Sequence, residues 1–219
     1  MAYIDFISKL HKKTNRNYLE RMTAEKPKIC EIAKKYDYDY WDGDRKYGFG
    51  GYRYDGRWRV VAEDMVKHYG LKSGDSILDV GCGKGFLLYD FTQVVPGIKV
   101  SGIDISEYAI KNAKEEVKPH LRVGLAQELP YPDKSFDLVY SINTIHNTLI
   151  YDVKKQIKEM ERVGKKHKYI VTEAYRNEQE KFNLMCWVLT GECFFSKDEW
   201  EWLFKEFGYR GDYSFIYFE

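Results

Sequence analysis

Three glycines at alternate positions and two carboxylates set the chemistry open to this chain. The run Ile77-Leu-Asp-Val-Gly-Cys-Gly-Lys-Gly85 passes from an apolar strand pattern into Gly81, Gly83 and Gly85. Glycine there lets the backbone turn tightly and approach a ligand that a Cβ would hold off. A helix started by such a turn offers free N–H groups and a partial positive charge to an anionic group. Asp104 follows Gly85 by 19 residues, at the end of the next apolar segment. An acid at that place accepts hydrogen bonds from both hydroxyls of a ribose. The turn Leu125-Ala-Gln-Glu-Leu-Pro130 is placed to frame an adenine ring. Together these features select an adenosine-bearing ligand. Asp79 suggests what its other end carries. An acid two residues before the first glycine is poor company for a phosphate and a good partner for an ammonium. The spacing Gly-x-Gly-x-Gly also departs from the Gly-x-Gly-x-x-Gly that seats a pyrophosphate. An amino-acid moiety fits better, its amine towards Asp79 and its carboxylate towards backbone N–H groups.

The elements that must position these residues alternate along the chain. Residues 60–69 read as a helix ending at Gly70, and 76–80 as a buried strand. A helix over 86–95 stops at Pro96-Gly97, and a second strand covers 100–105. Ser106 can cap a helix running to Lys118. Strands follow at 121–124 and 136–142. Val153, Ile157, Met160 and Val163 share one helix face, and a fifth strand covers 169–172. Ser196-Lys-Asp-Glu199 is a capping-box pattern ahead of a helix over 197–207, and a last strand spans 213–218. Strands alternating with helices imply a doubly wound, mostly parallel sheet with helices on both faces. The domain is expected over 60–219, with a helical insert around 177–195. Residues 1–59 form a separate N-terminal segment, helical to about residue 35 with a break near Pro27. Its residues 36–58 hold nine aromatics, five glycines and nine charges, an aromatic-rich loop rather than a helix or strand.

Composition excludes several functions. The 219 residues carry 35 Lys plus Arg against 34 Asp plus Glu, a net charge of +1. Without a basic excess, duplex DNA or RNA is a poor partner. Cys30, Cys82, Cys186 and Cys193 show no zinc-ligand spacing, so no metal is expected and free thiols in a reducing cytosol are. No apolar run has the length of a signal peptide or a membrane span, which points to a cytoplasmic protein.

The segments ILDVGCGKG, VSGIDIS and AQELPYPDKSFDLVYSINTIHN resemble, in order, the motifs of class I S-adenosylmethionine-dependent methyltransferases, most closely those acting on small molecules. The resemblance covers residues 60–175 and implies a Rossmann-like sheet, the cofactor S-adenosyl-L-methionine and its spent form S-adenosyl-L-homocysteine. It implies that Asp79 and the Gly81-Cys82-Gly83 turn hold the methionine part, and that Asp104 binds the ribose. Ile105 would pack on the adenine, Ala126 and Gln127 would line its edge, and Ser141 would lie beside the cofactor. Two departures stand out. The family commonly has Asp-Ala where this chain has Leu125-Ala126. It also closes its sheet with an antiparallel hairpin, for which only one C-terminal strand is evident here. That last strand is either absent or borrowed from elsewhere, and an unpaired edge would allow a homodimer.

On the acceptor side, His146 lies just past the fourth strand, where an imidazole could take a proton from a hydroxyl or amine. It could equally be a histidine that only hydrogen-bonds its loop. In the aromatic loop, Tyr47, Tyr52 or Tyr54 could face the sulfonium and Arg53 an acidic substrate, with Gly50-Gly51 letting the loop fold over as a lid. Packing of the N-terminal segment on the core explains most of the same aromatics. Glu173, Tyr175 and Arg176 follow the fifth strand, as substrate contacts or as a solvated turn, and Trp187 in the run 182–189 could roof the pocket. Lys84 is expected to face solvent. The expected activity is methyl transfer to nitrogen or oxygen of a small molecule. A cofactor-binding protein without catalysis is a rival, as is a nicotinamide-dependent dehydrogenase.

Overall fold

A computed structural model of the protein describes residues 1–10, 16–48 and 53–219. Helices α1 (Tyr18–Thr23), α2 (Lys26–Ala33), α3 (Tyr38–Trp41) and α4 (Arg59–Tyr69) precede the first strand. Then come β1 (Ser76–Val80), α5 (Phe86–Val94), β2 (Lys99–Asp104), α6 (Glu107–Lys111), β3 (Leu121–Val123) and β4 (Phe136–Ile142). The chain ends with α7 (Ile150–Val163), β5 (Gly164–Glu173), α8 (Glu178–Trp187), α9 (Lys197–Glu206) and β6 (Asp212–Ile216). The six strands form one sheet in the order β3-β2-β1-β4-β5-β6, every pair parallel. The doubly wound α/β class expected from the alternation is therefore the observed one.

Strand side chains alternate between two buried faces. Ile77, Leu138, Tyr140 and Val171 meet Val61 and Met65 of α4 and Leu88 and Phe91 of α5 on one side. Leu78, Val80, Val139 and Ile170 meet Val153, Ile157 and Met160 of α7, and Trp200 and Phe204 of α9, on the other. Crossovers leave β1 towards β2 on one side, while β4 lies on the other. A crevice therefore opens beyond the carboxyl ends of β1 and β4, where ligands of such sheets bind.

Four expectations change. The N-terminal segment is not helical from its start, since residues 1–10 hold no helix, Tyr3 bridges to Tyr213 and α1 begins at Tyr18. The helix after Ser106 ends at Lys111 instead of reaching Lys118. Asn112 turns its amide back onto the Tyr108 carbonyl (2.8 Å), and the Lys114 N–H is drawn to the Lys84 carbonyl (2.9 Å). Pro27 sits in the first turn of α2, where its missing N–H loses no bond, so it opens a helix and breaks none. No antiparallel hairpin closes the sheet among the described residues. β6 runs parallel to β5, and its outer edge takes residues 2–4, with Tyr213 N–H on the Ala2 carbonyl (3.0 Å) and Ile4 N–H on the Tyr213 carbonyl (2.9 Å). The borrowed segment is the N-terminus, and Phe6 and Ile7 behind it are buried in the core.

Trp200 is fully buried, its indole N–H on the Glu173 carbonyl (3.0 Å). Trp200→Ala should lower unfolding free energy by about 3–5 kcal/mol in a urea titration. A loss below about 1 kcal/mol would contradict the packing described.

Candidate active site

The turn after β1 takes left-handed conformations at Gly81 (φ +87°) and Gly83 (φ +52°), which side chains resist. A Cβ on Gly81 would sit 2.0 Å from the Thr144 hydroxyl, and one on Gly83 would sit 2.8 Å from the Trp41 ring. Asp104 ends β2 and braces this turn: its two oxygens accept the Gly83 and Ser106 N–H groups, each at 2.8 Å. Each oxygen keeps a further acceptor site. Asp79, near the end of β1, is buried. Burial lifts its carboxyl well above the usual range, against the pull of a hydrogen bond from Tyr140, and the charge of Asp104 adds to the rise. Asp104 is raised too, by burial, against the pull of its backbone hydrogen bonds. Among the described residues no cation acts on either acid.

Both acids open onto a cavity of about 540 Å³ that Gly81, Cys82, Gly83, Ile105, Ala126 and Gln127 also line. Ile105 leaves 56% of its surface exposed beside Asp104, an apolar wall without a neighbour. The Cys82 thiol is neutral, since burial raises it. Ser141 is not on the wall. It lies inside β4, fully buried, and its hydroxyl is spent on the Val80 carbonyl (2.8 Å).

The aromatic segment meets this end of the cavity through residues other than those singled out from the sequence. Trp41 lies against Gly83, and its indole N–H donates to the Ser106 hydroxyl (2.9 Å). That hydroxyl donates in turn to the Tyr36 carbonyl (2.5 Å). Asp42 grips Lys84 with both oxygens at 2.7 Å and accepts from the Tyr108 hydroxyl at 2.8 Å. Lys84 is accordingly buried, not solvent-facing, because the partner that neutralises it comes from a distant segment. Tyr36, Tyr40 and Trp41 line the cavity, whereas Tyr47 does not. Tyr54 donates to Asp90 (2.6 Å) and, with Arg53, borders a separate shallow depression. Tyr52 and Gly50-Gly51 lie outside the described residues.

At the far end stand His146 and Glu173. A 3-10 turn, Ile145–Asn147, carries the histidine, and its carbonyl accepts the Glu192 and Cys193 N–H groups. The imidazole Nδ1 is 3.1 Å from the Thr172 hydroxyl and Nε2 is 3.2 Å from Glu173 Oε2. Thr172 and Glu173 end β5. Burial pushes the Glu173 carboxyl up to about 8, partly offset by the charge of Arg16, and pushes His146 down to about 3. The two meet as a neutral acid and a neutral imidazole. Glu173 Oε2 makes no hydrogen bond. Tyr175 is directed elsewhere, its hydroxyl 3.4 Å from Glu199. Arg16, whose charge acts on Glu173, lines the cavity with Trp58, Trp187 and Phe218, its guanidinium lying 5.3 Å from the Trp187 ring centroid and 5.1 Å from that of Phe218. The sequence reading missed Arg16, Tyr36, Trp41 and Asp42, whose place depends on how the N-terminal segment folds back.

A family model described as a methyltransferase domain matches residues 71–208, and the chain belongs to that family. The cofactor is accordingly S-adenosylmethionine, and the site fits it: two carboxylates on which no cation acts among the described residues, a turn that side chains would fill and a half-exposed isoleucine. The chain is similar to a demethylmenaquinone methyltransferase of Symbiobacterium thermophilum, 40% identical over 90 residues, 37% of this chain and 36% of that protein. It is also similar to a sterol 24-C-methyltransferase of Gibberella zeae, 30% identical over 125 residues, 52% of this chain and 33% of that one. The matched stretches cover about a third of each relative's length. A SAM-dependent methyltransferase from Aquifex aeolicus shares the fold, with a TM-score of 0.53 and 22% identity over 84% of this chain and 88% of that one.

The neutral pair ties stability to pH. Glu173 ordinarily titrates near 4.5, so between about 4.5 and 8 the folded protein holds a proton that the unfolded chain has lost. Its contribution to stability therefore falls as pH rises through that window. His146 acts oppositely: below 6.5 and down to about 3, only the unfolded chain gains its proton, so stability falls as pH drops. The stability of the wild type relative to Glu173→Gln, from denaturant midpoints, should fall steadily between about pH 5 and 8. A constant difference across that window would mean that Glu173 is ionised in the folded protein.

Proposed function

We propose that this chain transfers a methyl group from S-adenosylmethionine to a small acceptor bound between the glycine turn and the His146–Glu173 end of the cavity. The observation that carries the reading is the pair of buried acids, Asp79 and Asp104, flanking a left-handed glycine turn, with no cation acting on either among the described residues. Asp79 would take the ammonium of the cofactor, the turn its carboxylate, and Asp104 the ribose hydroxyls. Ile105, Ala126 and Gln127 would hold the adenine. When bound, the cofactor supplies a methyl group on a sulfonium, already activated towards displacement. The protein's part is then alignment and exclusion of water. Residues 36–42 serve that end as a cover, strapped to the glycine turn through Asp42 and Lys84 and to the start of α6 through Trp41 and Ser106. The small-molecule class is supported by the enclosed aromatic cavity and by relatives named for a menaquinone and a sterol. The near-zero net charge supports it too.

Binding should show its charge chemistry. An ammonium beside Asp79 favours the carboxylate, so the free protein's proton leaves on binding and affinity rises with pH. Calorimetry with S-adenosylmethionine in two buffers of different ionisation enthalpy should reveal proton release, and NAD should give no heat. Absence of heat with both the donor and S-adenosylhomocysteine, on folded protein, would end the proposal. Asp42→Ala should weaken donor binding about tenfold, equivalent to about 1.4 kcal/mol. Unchanged affinity and off-rate would remove the strap from the site.

A further inference from the structure

Among the described titratable groups lining the cavity, Glu173 is the one with a buried oxygen left without a hydrogen-bond partner. It is a carboxyl with 7% of its surface exposed, and one oxygen has no hydrogen bond in a cavity large enough for a ligand. A buried acceptor left unmatched loses free energy that a donor from a ligand would restore. Its surroundings are built to hold it still. The Trp200 indole fixes its backbone carbonyl, and His146, itself oriented by Thr172, stands 3.2 Å from the same oxygen. Trp58, Trp187, Phe218 and Ile216 line the same cavity, and Arg16, whose charge acts on Glu173, lies over the Trp187 and Phe218 rings.

Resting on the methyl-transfer reading, we propose that Glu173 is the catalytic base, that His146 is its positioning residue, and that the acceptor is a ring-borne hydroxyl of the phenol or quinol class. The wall chemistry favours a flat aromatic body. Arg16 decides between heteroatoms. Its field reaches Glu173 and favours negative charge, which an oxygen develops as its proton leaves. The same field opposes an ammonium, the form in which an amine arrives near neutral pH.

The step balances without any further reactant. The acceptor oxygen forms its bond to the methyl carbon while the carbon–sulfur bond breaks, and that electron pair stays on sulfur as a neutral thioether. The hydroxyl proton passes to the Glu173 carboxylate, giving the neutral acid, which returns it to solvent after product leaves. His146 is a poor candidate for this proton. Its buried ring resists protonation down to about pH 3, whereas a carboxyl raised to about 8 is matched to a phenol near working pH. Among the described residues, Arg16 acts on Glu173 by its charge and His146 stands 3.2 Å from it, while Arg45, Arg57, Lys84, Asp79 and Asp104 also line the cavity.

The test uses the full chain and two probes with one ring, 2-naphthol and 2-(aminomethyl)naphthalene, with radiolabelled S-adenosylmethionine. Transfer to the naphthol is expected, its rate rising with pH to a plateau above about 8. Glu173→Gln should lose that limb and about a hundredfold in kcat while binding S-adenosylhomocysteine normally. His146→Asn should keep the rate within about tenfold and move the midpoint of the limb, which a purely structural histidine would not do. Independently of turnover, carbon-13 NMR of labelled glutamate carboxyls should show one resonance titrating near 8 and missing from Glu173→Gln. A Glu173 midpoint in the ordinary carboxylate range overturns the assignment. So does an intact pH limb in Glu173→Gln, and so does transfer to the amine alone or to neither ring. Wild-type protein that binds no methyl donor would instead indict the proposed function, so the two failures are distinguishable.

Discussion

Desolvation of carboxyl groups at one edge of a parallel sheet is the constraint on which the site depends. Asp79, Asp104 and Glu173 stand at or near the carboxyl ends of β1, β2 and β5, and burial raises all three. Only Asp104 is braced by backbone N–H groups, and those come from the turn it must shape. A folded protein tolerates such groups because two apolar layers, one on each face of the sheet, supply stability elsewhere. Residual unfavourable electrostatics at a cleft mark a site waiting for complementary charge. Here the complement differs between the two ends. Among the described residues Asp79 and Asp104 lack a cation, while Glu173 Oε2 lacks a hydrogen-bond partner.

The N-terminal segment binds this edge into one enclosure. Residues 2–4 take the outer edge of β6, Phe6 and Ile7 enter the core, and residues 36–42 return to the glycine turn on the opposite half of the sheet. Trp41 rests where Gly83 has no side chain. The absent Cβ thus serves twice, freeing the backbone to adopt a positive φ and leaving room for an indole. The ion pair of Asp42 with Lys84 has most of its surface out of solvent, with side-chain exposures of 26% and 6%. It is therefore less screened than a surface pair and better able to hold the segment in one place.

The sequence disclosed what depends on local pattern. Strand β1, the turn at Gly81–Gly85 and Asp104 are read from periodicity and spacing, because glycine geometry and strand length fix where an acid 19 residues on must stand. The helix after Ser106 was overestimated, since neither Asn112's bond to its own helix nor the Lys84 carbonyl that claims the Lys114 N–H appears in an amphipathic pattern. Ser141 was placed by resemblance alone. In the fold its side chain falls on the alternate set of β4 and bonds the neighbouring strand. Within residues 36–58 the composition sets an aromatic-rich loop apart but does not rank its tyrosines. Nine aromatics share one texture, and which of the described ones face the cavity depends on a chain path that local pattern does not carry. Lys84 shows the same limit, as its partner lies 42 residues away.

The opposition between the two ends of the cavity gives a reason for orientation. An adenosyl amino acid with an ammonium and a ribose meets uncompensated carboxyls at one end, whereas at the other it would meet the guanidinium of Arg16 among indole and phenyl rings. Reversing it would set like charges together and leave Asp79 unpaired, so the proposed pose satisfies both ends at once. The same polarity serves the reaction. Methyl transfer removes positive charge from sulfur and a proton from the acceptor. An enclosure negative at the donor end and positive beside the acceptor stabilises each change where it occurs, with side chains already fixed by folding. Burial of His146 fits this division, since desolvation by itself opposes a histidinium there. The folded site avoids that charge by keeping the imidazole neutral, hydrogen-bonded to Thr172 and turned to the carboxyl it positions.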